Sequence, residues 1–517
     1  MPVEPRQALC HDSGVMHLPS CFPVFSFRPL SAAATNTDKL GVGETIGIKK
    51  ILACVLLFAG SLHAGDSQSG NPINLPRIDP AINWFYQAKL GVFLHWGIYA
   101  VDGVEVSWPF NHPPESPHGV SYDKYFAQMK GFGAQNYDPV KWAEIFREAG
   151  AKYAIITTKH HDGFALWDTK VPDGLDAAGS SPAARDLIKP WIAAMRAADI
   201  HPGFYFSIAD WHHPDYPSME PPAGSTDSRK NLPYSYGEKD DPARWAKYLK
   251  FMNGQLDELL EYNPDIWWFD GGWERTAEEW DGAQITEKLT ATNPNMLLGR
   301  HTWPVKKGVF CYNTPERAVP ARTPTGLWEL CLTSNEHWAY CPTDTQWKPA
   351  DVLVQIFADV ISRGGNLLLN IAPKADGSLP EEATGPLLDL GAWIKRNQEA
   401  ISPTFGGEQA GISFTRFHGP STVSMDGKTL YLFVPAMPEG GILLRGVVSV
   451  PKRVSVVSTG EESVWRQLGG VPPYQPGDFL ISAPKKRDSL MTVIKLEYND
   501  IIHLEGTVPT PQRAARQ

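Results

Sequence analysis

Apolar positions recur with two different spacings between about residue 84 and residue 401. Short apolar runs indicate strands buried on both faces, and apolar residues three and four apart indicate helices that pack on one side. The predicted strands are 89–96, 152–159, 203–207, 266–269, 296–300, 309–312, 327–330 and 366–371. The predicted helices are 139–149, 188–198, 243–262, 276–291, 352–362 and 385–401. Because strands separated by helices form parallel βαβ units, we expect an α/β fold, a (β/α)8-like TIM barrel.

The pattern changes after Ser402-Pro403. Gly and Pro turns separate short runs of β type, and helical spacing is absent. These runs are 412–417, 429–434, 442–444, 454–457 and 490–496. Such a pattern is typical of two packed antiparallel sheets. We therefore expect a barrel domain over residues 65–402 and a C-terminal β-sandwich with a frayed tail over residues 403–517.

The N-terminal residues 1–64 do not fit either pattern. They contain the basic pair Lys49-Lys50, the apolar run 51–60 and the small residue Ala64. These are the parts of a signal peptide, and the apolar run is too short to span a membrane. We expect an unstructured N-terminus, cleavage after Ala64, a start codon nearer Val42 or Ile46, and export to the periplasm or the cell exterior.

Composition excludes some classes of function. A net charge of -10 and a pI near 5.9 argue against nucleic-acid binding, which needs a basic face. The 18 tryptophans suit a carbohydrate cleft. Cys311, Cys331 and Cys341 would remain after cleavage, so at least one thiol is free and one disulfide is possible. No Cys-x-x-Cys pair points to a metal.

Polar residues stand at the ends of successive predicted strands. They are His95, His160, His161, Tyr205, Asp270 and Arg300. In an α/β barrel the C-terminal strand ends meet at one mouth, where catalytic side chains lie. Asp270 by itself could equally be the cap of the next helix. Six polar residues on successive strands favour a functional site, which Trp268 and Trp273 would wall with apolar surface.

The carboxyl groups near these strands point to glycoside hydrolysis. That reaction needs one carboxylate as nucleophile or base and one carboxylic acid to protonate the leaving oxygen. Asp270 fits the first role, because Arg300 would keep it ionised. Glu316 and Glu329 are both candidates for the acid. The three histidines would donate hydrogen bonds to sugar hydroxyls.

The histidines also allow the alternative of a metal-dependent hydrolase. His160 and His161 are adjacent, so they would point to opposite faces of a strand, and the spacing His-x-His is absent. We therefore expect no metal ion and no other cofactor.

These residues lie in stretches that closely resemble the α-L-fucosidases of glycoside hydrolase family 29. The stretches follow the family's order over about residues 80–400. They are 93–97 (FLHWG), 158–164 (TKHHDGF), 268–271 (WFDG), 314–316 (TPE), 328–331 (WELC) and 365–370 (GNLLLN). The resemblance implies an imperfect (β/α)8 barrel followed by a β-sandwich, hydrolysis with retention of configuration, and no metal cofactor.

The resemblance also implies the roles of individual residues. Asp270 would be the nucleophile. Glu316 is preferred over Glu329 as general acid, because a Thr-Pro-Glu loop supplies the acid in similar fucosidases. The residues that would bind fucose are His95, Trp108, His160, His161, Tyr205, Trp268 and Arg300, with Glu329 as support.

One stretch departs from the family. Many members carry Glu-Trp shortly after the first strand, and that Glu contacts fucose. Here Ser107 precedes Trp108 in the order Glu105-Val106-Ser107-Trp108. Either Glu105 reaches the same space or the contact is lost.

The sequence thus predicts a secreted retaining exo-α-L-fucosidase that acts on fucosylated oligosaccharides, glycoconjugates or polysaccharides. One alternative is a related exo-glycosidase for another L-galacto-configured or 6-deoxy sugar. A different class is a non-catalytic sugar-binding protein.

Overall fold

The computed structural model describes residues 70–112, 119–216, 241–470 and 477–506. The predicted signal peptide and the frayed C-terminal tail lie outside these ranges. Among the helices that are described, none combines the length and the hydropathy that crossing a bilayer requires.

Eight parallel strands form the centre of the fold. They are β1 (Leu90–Leu94), β2 (Tyr153–Lys159), β3 (His201–Ser207), β4 (Ile266–Asp270), β5 (Leu297–Gly299), β6 (Phe310–Tyr312), β7 (Glu329–Thr333) and β8 (Asn366–Asn370). They are hydrogen-bonded in the order β7-β8-β1-β2-β3-β4-β5-β6. Parallel bridges from Asn313 to Trp328 and from Glu316 to Cys331 join the two ends of this sheet. The strands therefore curl into a TIM-like barrel, as predicted.

Helices connect most of the strands. They are α1 (Asn83–Ala88), α2 (Tyr122–Ala127), α3 (Pro139–Glu148), α4 (Ile188–Ala197), α5 (Pro242–Leu260), α6 (Gly282–Thr292), α7 (Ala350–Ser362), α8 (Glu381–Arg396) and α9 (Gln398–Ile401). The side chain of Asp138 caps α3 by accepting hydrogen bonds from the N–H groups of Val140 and Lys141, as its sequence predicts. Residues 300–328, all of which are described, contain no helix, so the barrel is imperfect between β5 and β7.

The strands divide their side chains between two packing surfaces. In β1, Val92 and Leu94 belong to the large apolar cluster that includes the helices, whereas Phe93 joins an inner cluster with Tyr205 and Trp268. The division follows from the alternation of side chains along a strand, which sends every second residue into the barrel. The inner cluster is rich in aromatic rings and forms a floor beneath the polar strand ends.

Two antiparallel sheets follow the barrel. Their strands are β9 (Thr404–Gly406), β10 (Ser421–Ser424), β11 (Thr429–Val434), β12 (Ile442–Leu444), β13 (Arg453–Val456), β14 (Trp465–Leu468), β15 (Asp478–Ile481) and β16 (Thr492–Glu497). One sheet has the order β9-β10-β11-β16-β13 and the other β12-β15-β14. Leu432, Phe479 and Leu496 belong to a buried apolar cluster that both sheets share. The predicted strand 412–417 is wrong, because the N–H groups of Arg416 and Phe417 donate to the carbonyl of Ser413 and form a turn.

Three other boundaries differ from the prediction. The strand expected over 327–330 runs over Glu329–Thr333, so Glu329 begins it. The helix expected over 276–291 begins at Gly282, because Asp281 has a φ of 52° and a left-handed residue cannot continue a right-handed helix. The helix expected over 385–401 is α8 and α9, which are separated at Asn397. All three described cysteines are free thiols.

Candidate active site

Asp270 is the last residue of β4, and the strand ends there for a local reason. Gly271 has a φ of 81°, and a Cβ atom at this position would lie 2.7 Å from Cβ of Ala209 and 2.9 Å from its backbone nitrogen. Only glycine turns the chain here without a clash. Ser207, the last residue of β3, lies opposite Asp270 in the β3–β4 pairing, so both residues stand at the C-terminal strand ends that form the mouth of the barrel.

Asp270 accepts hydrogen bonds from two neighbouring strand ends. The hydroxyl of Tyr205 lies 2.7 Å from Oδ2, and Nε of Arg300 lies 3.1 Å from Oδ1. Burial, and then the charge of Asp270, raise the pKa of Tyr205 well above its ordinary value, so the hydroxyl keeps its proton and donates. The two donors hold the carboxylate in one position at the mouth of the barrel, as a nucleophile needs.

Arg300 connects the two candidate catalytic carboxyl groups. Its Nε contacts Asp270, and its Nη1 contacts Oε1 of Glu316. Burial raises the pKa of Glu316 by more than the opposing charge of Arg300 lowers it. A carboxyl group with a raised pKa is suited to act as an acid near neutral pH. The Glu316 side chain is 36% exposed, so solvent can also reach it.

Glu329 lies at the other end of the barrel. It pairs with Asn366 at the start of β8, and its side chain is fully buried. The carboxylate lies 2.8 Å from the hydroxyl of Tyr153 and 3.0 Å from Nε1 of Trp268. Burial raises the pKa of Glu329 to about 7. The register of β7 places Glu329 beneath Trp268, where it supports the floor of the site, as one of its expected roles requires. This position favours structural support over contact with substrate or the role of acid.

His95 has a tautomer that its neighbours determine. Its Nδ1 lies 2.8 Å from Oδ1 of Asn370, and Nδ2 of Asn370 donates to the carbonyl of Trp338. The amide oxygen therefore faces His95, and Nδ1 must donate. Burial lowers the pKa of His95 to about 4, so the ring is neutral and its Nε2 is a hydrogen-bond acceptor.

His161 is arranged in the same way. Its Nδ1 lies 2.6 Å from Oγ of Ser207, which donates its only proton to the carbonyl of Ala209. Burial lowers the pKa of His161 to about 4 as well. His95 and His161 thus present acceptors to a ligand, which corrects the expectation that all three histidines donate to sugar hydroxyls.

Ser107 and Glu105 hold the loop after β1 in different ways. Nδ1 of His160 lies 2.5 Å from Oγ of Ser107, which also accepts the N–H of Asp162. The two carboxylate oxygens of Glu105 lie 3.1 and 3.0 Å from the N–H of Trp338, and Oε1 lies 3.3 Å from Nη2 of Arg317. Glu105 is therefore bound to two neighbouring loops of the protein. One of them contains Arg317, the residue that follows Glu316.

His160, His161 and Asp270 each place one possible metal ligand within 4.8 Å of the others. The two imidazole centroids are 4.2 Å apart, because both residues follow β2 and do not lie within it. The expectation that they point to opposite faces is wrong. Nε2 of His161 lies 3.7 Å from Oδ2 of Asp270 and has no hydrogen-bond partner among the described residues. Such a nitrogen can accept a sugar hydroxyl or bind a cation, so the expected absence of a metal stays a prediction.

Two exposed tryptophans wall one side of the mouth. The rings of Trp108 and Trp273 are stacked at 6.3 Å, and both meet His161 edge-on, at 5.5 and 5.6 Å. Trp268 is buried in the floor, with its ring 5.0 Å from the guanidinium of Arg300. Apolar rings around a few convergent polar groups are typical of a small-molecule pocket.

Sequence reasoning missed several residues that orient the site. Ser207 and Asn370 end β3 and β8, so the rule that polar residues stand at strand ends could have found both. Trp338 lies 5.0 Å from His95 between ring centroids, yet it belongs to a loop with no periodic pattern. Its place in the site depends on the path of that loop in three dimensions.

Comparisons with known proteins give the family. A family model described as Alpha-L-fucosidase matches residues 65–399. The tissue alpha-L-fucosidase of Homo sapiens is 27% identical over 426 residues, which cover 76% of this chain and 84% of that protein. The alpha-L-fucosidase of Branchiostoma floridae is 29% identical over 358 residues, which cover 63% of this chain and 73% of that protein.

Solved structures agree with the sequence matches. Alpha-L-fucosidase isoenzyme 1 from Paenibacillus thiaminolyticus superposes with a TM-score of 0.70 at 30% identity, covering 81% of this chain and 99% of that one. The alpha-fucosidase of Thermotoga maritima gives 0.63 at 28% identity, covering 80% and 96%. The family match includes the strand end of Asp270 and the loop of Glu316. The chain therefore belongs to the α-L-fucosidase family and is a glycoside hydrolase.

Proposed function

We propose that this chain is a retaining exo-α-L-fucosidase in which Asp270 is the nucleophile and Glu316 is the general acid and base. The observation that carries the proposal is the contact of a single guanidinium, that of Arg300, with both carboxyl groups. The shared guanidinium brings both carboxyl groups to the same part of the mouth, which supports the short separation that a retaining enzyme uses. An inverting enzyme holds its two carboxyl groups farther apart to admit a water molecule between them.

In the first step, ionised Asp270 attacks the anomeric carbon while Glu316 gives its proton to the glycosidic oxygen. The bond to the leaving group breaks, and an ester joins fucose to Asp270. In the second step, the Glu316 carboxylate takes a proton from water, and the water oxygen attacks the same carbon. The ester bond breaks, Asp270 leaves as a carboxylate, and fucose keeps its configuration.

The other side chains of the mouth bind the sugar. His95 and His161 offer neutral Nε2 acceptors to hydroxyl groups, and Tyr205 and Arg300 hold the carboxylate of Asp270 in position. Trp108 and Trp273 give the sugar an apolar wall. The buried aromatic floor supports the proposal that the pocket takes a terminal residue, because the barrel is filled below the strand ends.

Two finer features complete the proposal. The protein is exported by the signal peptide that the sequence predicts before Gly65, and mass spectrometry of the secreted protein would find Gly65 as its first residue.

The two C-terminal sheets form a β-sandwich, a reading that their shared apolar cluster supports.

The function is tested with a panel of fucosylated oligosaccharides whose hydrolysis is followed by proton NMR. We expect fucose to be released, with the α anomer formed first. If the β anomer forms first, retention is wrong. Faster release of another 6-deoxy or L-galacto-configured sugar would assign the site to that sugar, and no release from any substrate would favour a sugar-binding protein.

A further inference from the structure

An open groove lies on the flank of the barrel where the outer helices are missing. Its volume is about 760 Å³. One wall is the chain between β5 and β6, and the other consists of residues 313–314 and 325–327. Residues 300–328 contain no helix that would fill this space, and Cys311 of β6, which packs against the outer apolar cluster, is only half-buried.

The groove carries positive charge. The charge comes from Lys306 and Lys307, because Arg300 is paired with Asp270 and Glu316 and burial lowers the pKa of His301. No Asp or Glu is found among the described residues of the groove's walls. This differs from the whole chain, which has 57 acidic and 47 basic residues. Lys306 and Lys307 are exposed, and neither forms an ion pair with a described residue. Cations grouped in a concave surface create a local potential that attracts anions.

The groove also begins beside the catalytic carboxyl groups. Arg300, at its inner end, contacts both Asp270 and Glu316. Thr314, on the opposite wall, is two residues before Glu316. A general acid must face the oxygen of the leaving group, so the leaving group departs on the side of the site where Glu316 lies. The part of the substrate that follows the fucosyl residue is therefore directed toward this groove.

We infer that the groove is a subsite for the leaving-group portion of the substrate and that it recognises an anionic sugar, one that bears a sulfate ester or a carboxylate. This inference rests on the proposed function. The ammonium groups of Lys306 and Lys307 supply point charges without a fixed hydrogen-bond direction, which suits an anion carried on a flexible glycan. The partner is thus an acidic fucosylated glycan.

The test compares two matched substrates, a fucosylated disaccharide with a neutral second sugar and the same disaccharide with one sulfate on that sugar. The variant is Lys306→Glu/Lys307→Glu. The matched control is Lys485→Glu/Lys486→Glu, an exposed adjacent pair in the C-terminal region with the same change in charge. Hydrolysis of an activated aryl fucoside, which does not fill the groove, reports whether each variant has a folded site.

The quantity measured is the ratio of kcat/KM for the sulfated substrate to kcat/KM for the neutral one. We expect the wild type to prefer the sulfated substrate and the ratio to fall about tenfold in the Lys306/Lys307 variant, mainly through KM. The control should keep the wild-type ratio, and added salt should lower the wild-type preference.

Three results would overturn the inference: no preference for the sulfated substrate in the wild type, an unchanged preference in the Lys306/Lys307 variant, or an equal loss of preference in the control. Each of them leaves the proposed function standing if the wild type still releases fucose from the aryl fucoside. Failure to release fucose from any of the three substrates would instead contradict the proposed function.

Discussion

The mouth of the barrel holds Glu316 and its interior holds Glu329, and the two glutamates have different environments. Glu316 is 36% exposed and contacts the cation of Arg300. Glu329 is fully buried and accepts hydrogen bonds from the uncharged donors Tyr153 and Trp268. Burial raises the pKa of both carboxyl groups. Of the two, only Glu316 is open to solvent and contacts Arg300, the residue that also contacts Asp270.

This difference shows that a raised pKa is not enough to identify a catalytic acid. Perturbed carboxyl groups occur at functional sites and also in structural networks. The position along the barrel axis separates the two cases, because only the C-terminal strand ends open to the substrate. The comparison can be tested by substitutions that act on the mouth, on the interior or on the loops between them.

The largest effect is expected from Asp270→Gly at the mouth. The variant lacks the proposed nucleophile but keeps the floor of the pocket, so kcat should fall by at least ~10³-fold. Azide, a small anion that fits the vacated space, should restore part of the turnover of an activated aryl fucoside. Steady-state kinetics with and without azide measure both effects. Wild-type turnover by the variant would show that Asp270 is not the nucleophile.

Glu316→Ala should act according to the leaving group. Hydrolysis of a fucosylated oligosaccharide should fall about 10²- to 10³-fold, because a sugar alkoxide needs a proton to leave. An activated aryl fucoside needs little help in the first step, so the fucosyl-enzyme should accumulate and give a burst with a low apparent KM. Glu329→Ala is the matched comparison and should affect both substrates alike. The opposite pattern for the two variants would reverse the roles assigned here.

Glu329→Ala should instead reduce stability. The substitution leaves the donors of Tyr153 and Trp268 without an acceptor in a buried space, at a cost of about 2–4 kcal/mol in the free energy of unfolding. Glu329→Gln should cost less, because the amide oxygen can still face Trp268 and the Tyr153 hydroxyl can accept from the amide nitrogen. Denaturant unfolding of the three proteins measures this order.

The same residue gives the stability a pH dependence. Because the pKa of Glu329 is raised to about 7 in the folded chain, the folded state retains a proton that the unfolded state loses above about pH 4. Its contribution is therefore complete below the unfolded pKa and is lost as the pH rises through about 7. Wild type should lose on the order of 2–3 kcal/mol more stability than Glu329→Gln between pH 4.5 and pH 8. Parallel pH profiles for the two proteins would contradict this account.

A smaller effect is expected from Glu105→Gln in the loop after β1. The change removes the charge that holds Arg317, the neighbour of Glu316, and places an amide donor against the N–H of Trp338. A misplaced acid should lower kcat for the oligosaccharide about 3- to 10-fold and affect the activated aryl fucoside less. Glu399→Gln, which breaks a distant ion pair with Lys495, is the control. Equal losses on both substrates would show that Glu105 acts on folding and not on the acid.

No effect is expected from metal removal. If Nε2 of His161 accepts a sugar hydroxyl and binds no cation, activity should be unchanged after EDTA treatment. Loss of activity in EDTA with recovery on addition of zinc would assign His160, His161 and Asp270 to a metal site.

Much of the fold could be predicted from local patterns. Helix α3 begins where Asp138 and Pro139 predict it, and β11 and β12 have the bounds that their apolar runs predict. These elements depend on hydrogen bonds and side-chain spacing within a few residues, so a short window of sequence contains their cause. The strand ends that carry His95, Asp270 and Arg300 were predictable for the same reason.

The sequence by itself determined the order of strands and helices, the polar strand ends and the family to which the chain is similar. Only the tertiary structure decided which glutamate lies beside Arg300 at the mouth, because a shift of two residues in β7 moves Glu329 from a strand end to the barrel floor. It also decided that Arg300 joins Asp270 to Glu316 and that Glu105 binds the loop of Trp338. Such contacts connect residues far apart in the chain, and their geometry depends on strand register and loop paths, which local apolar spacing does not specify.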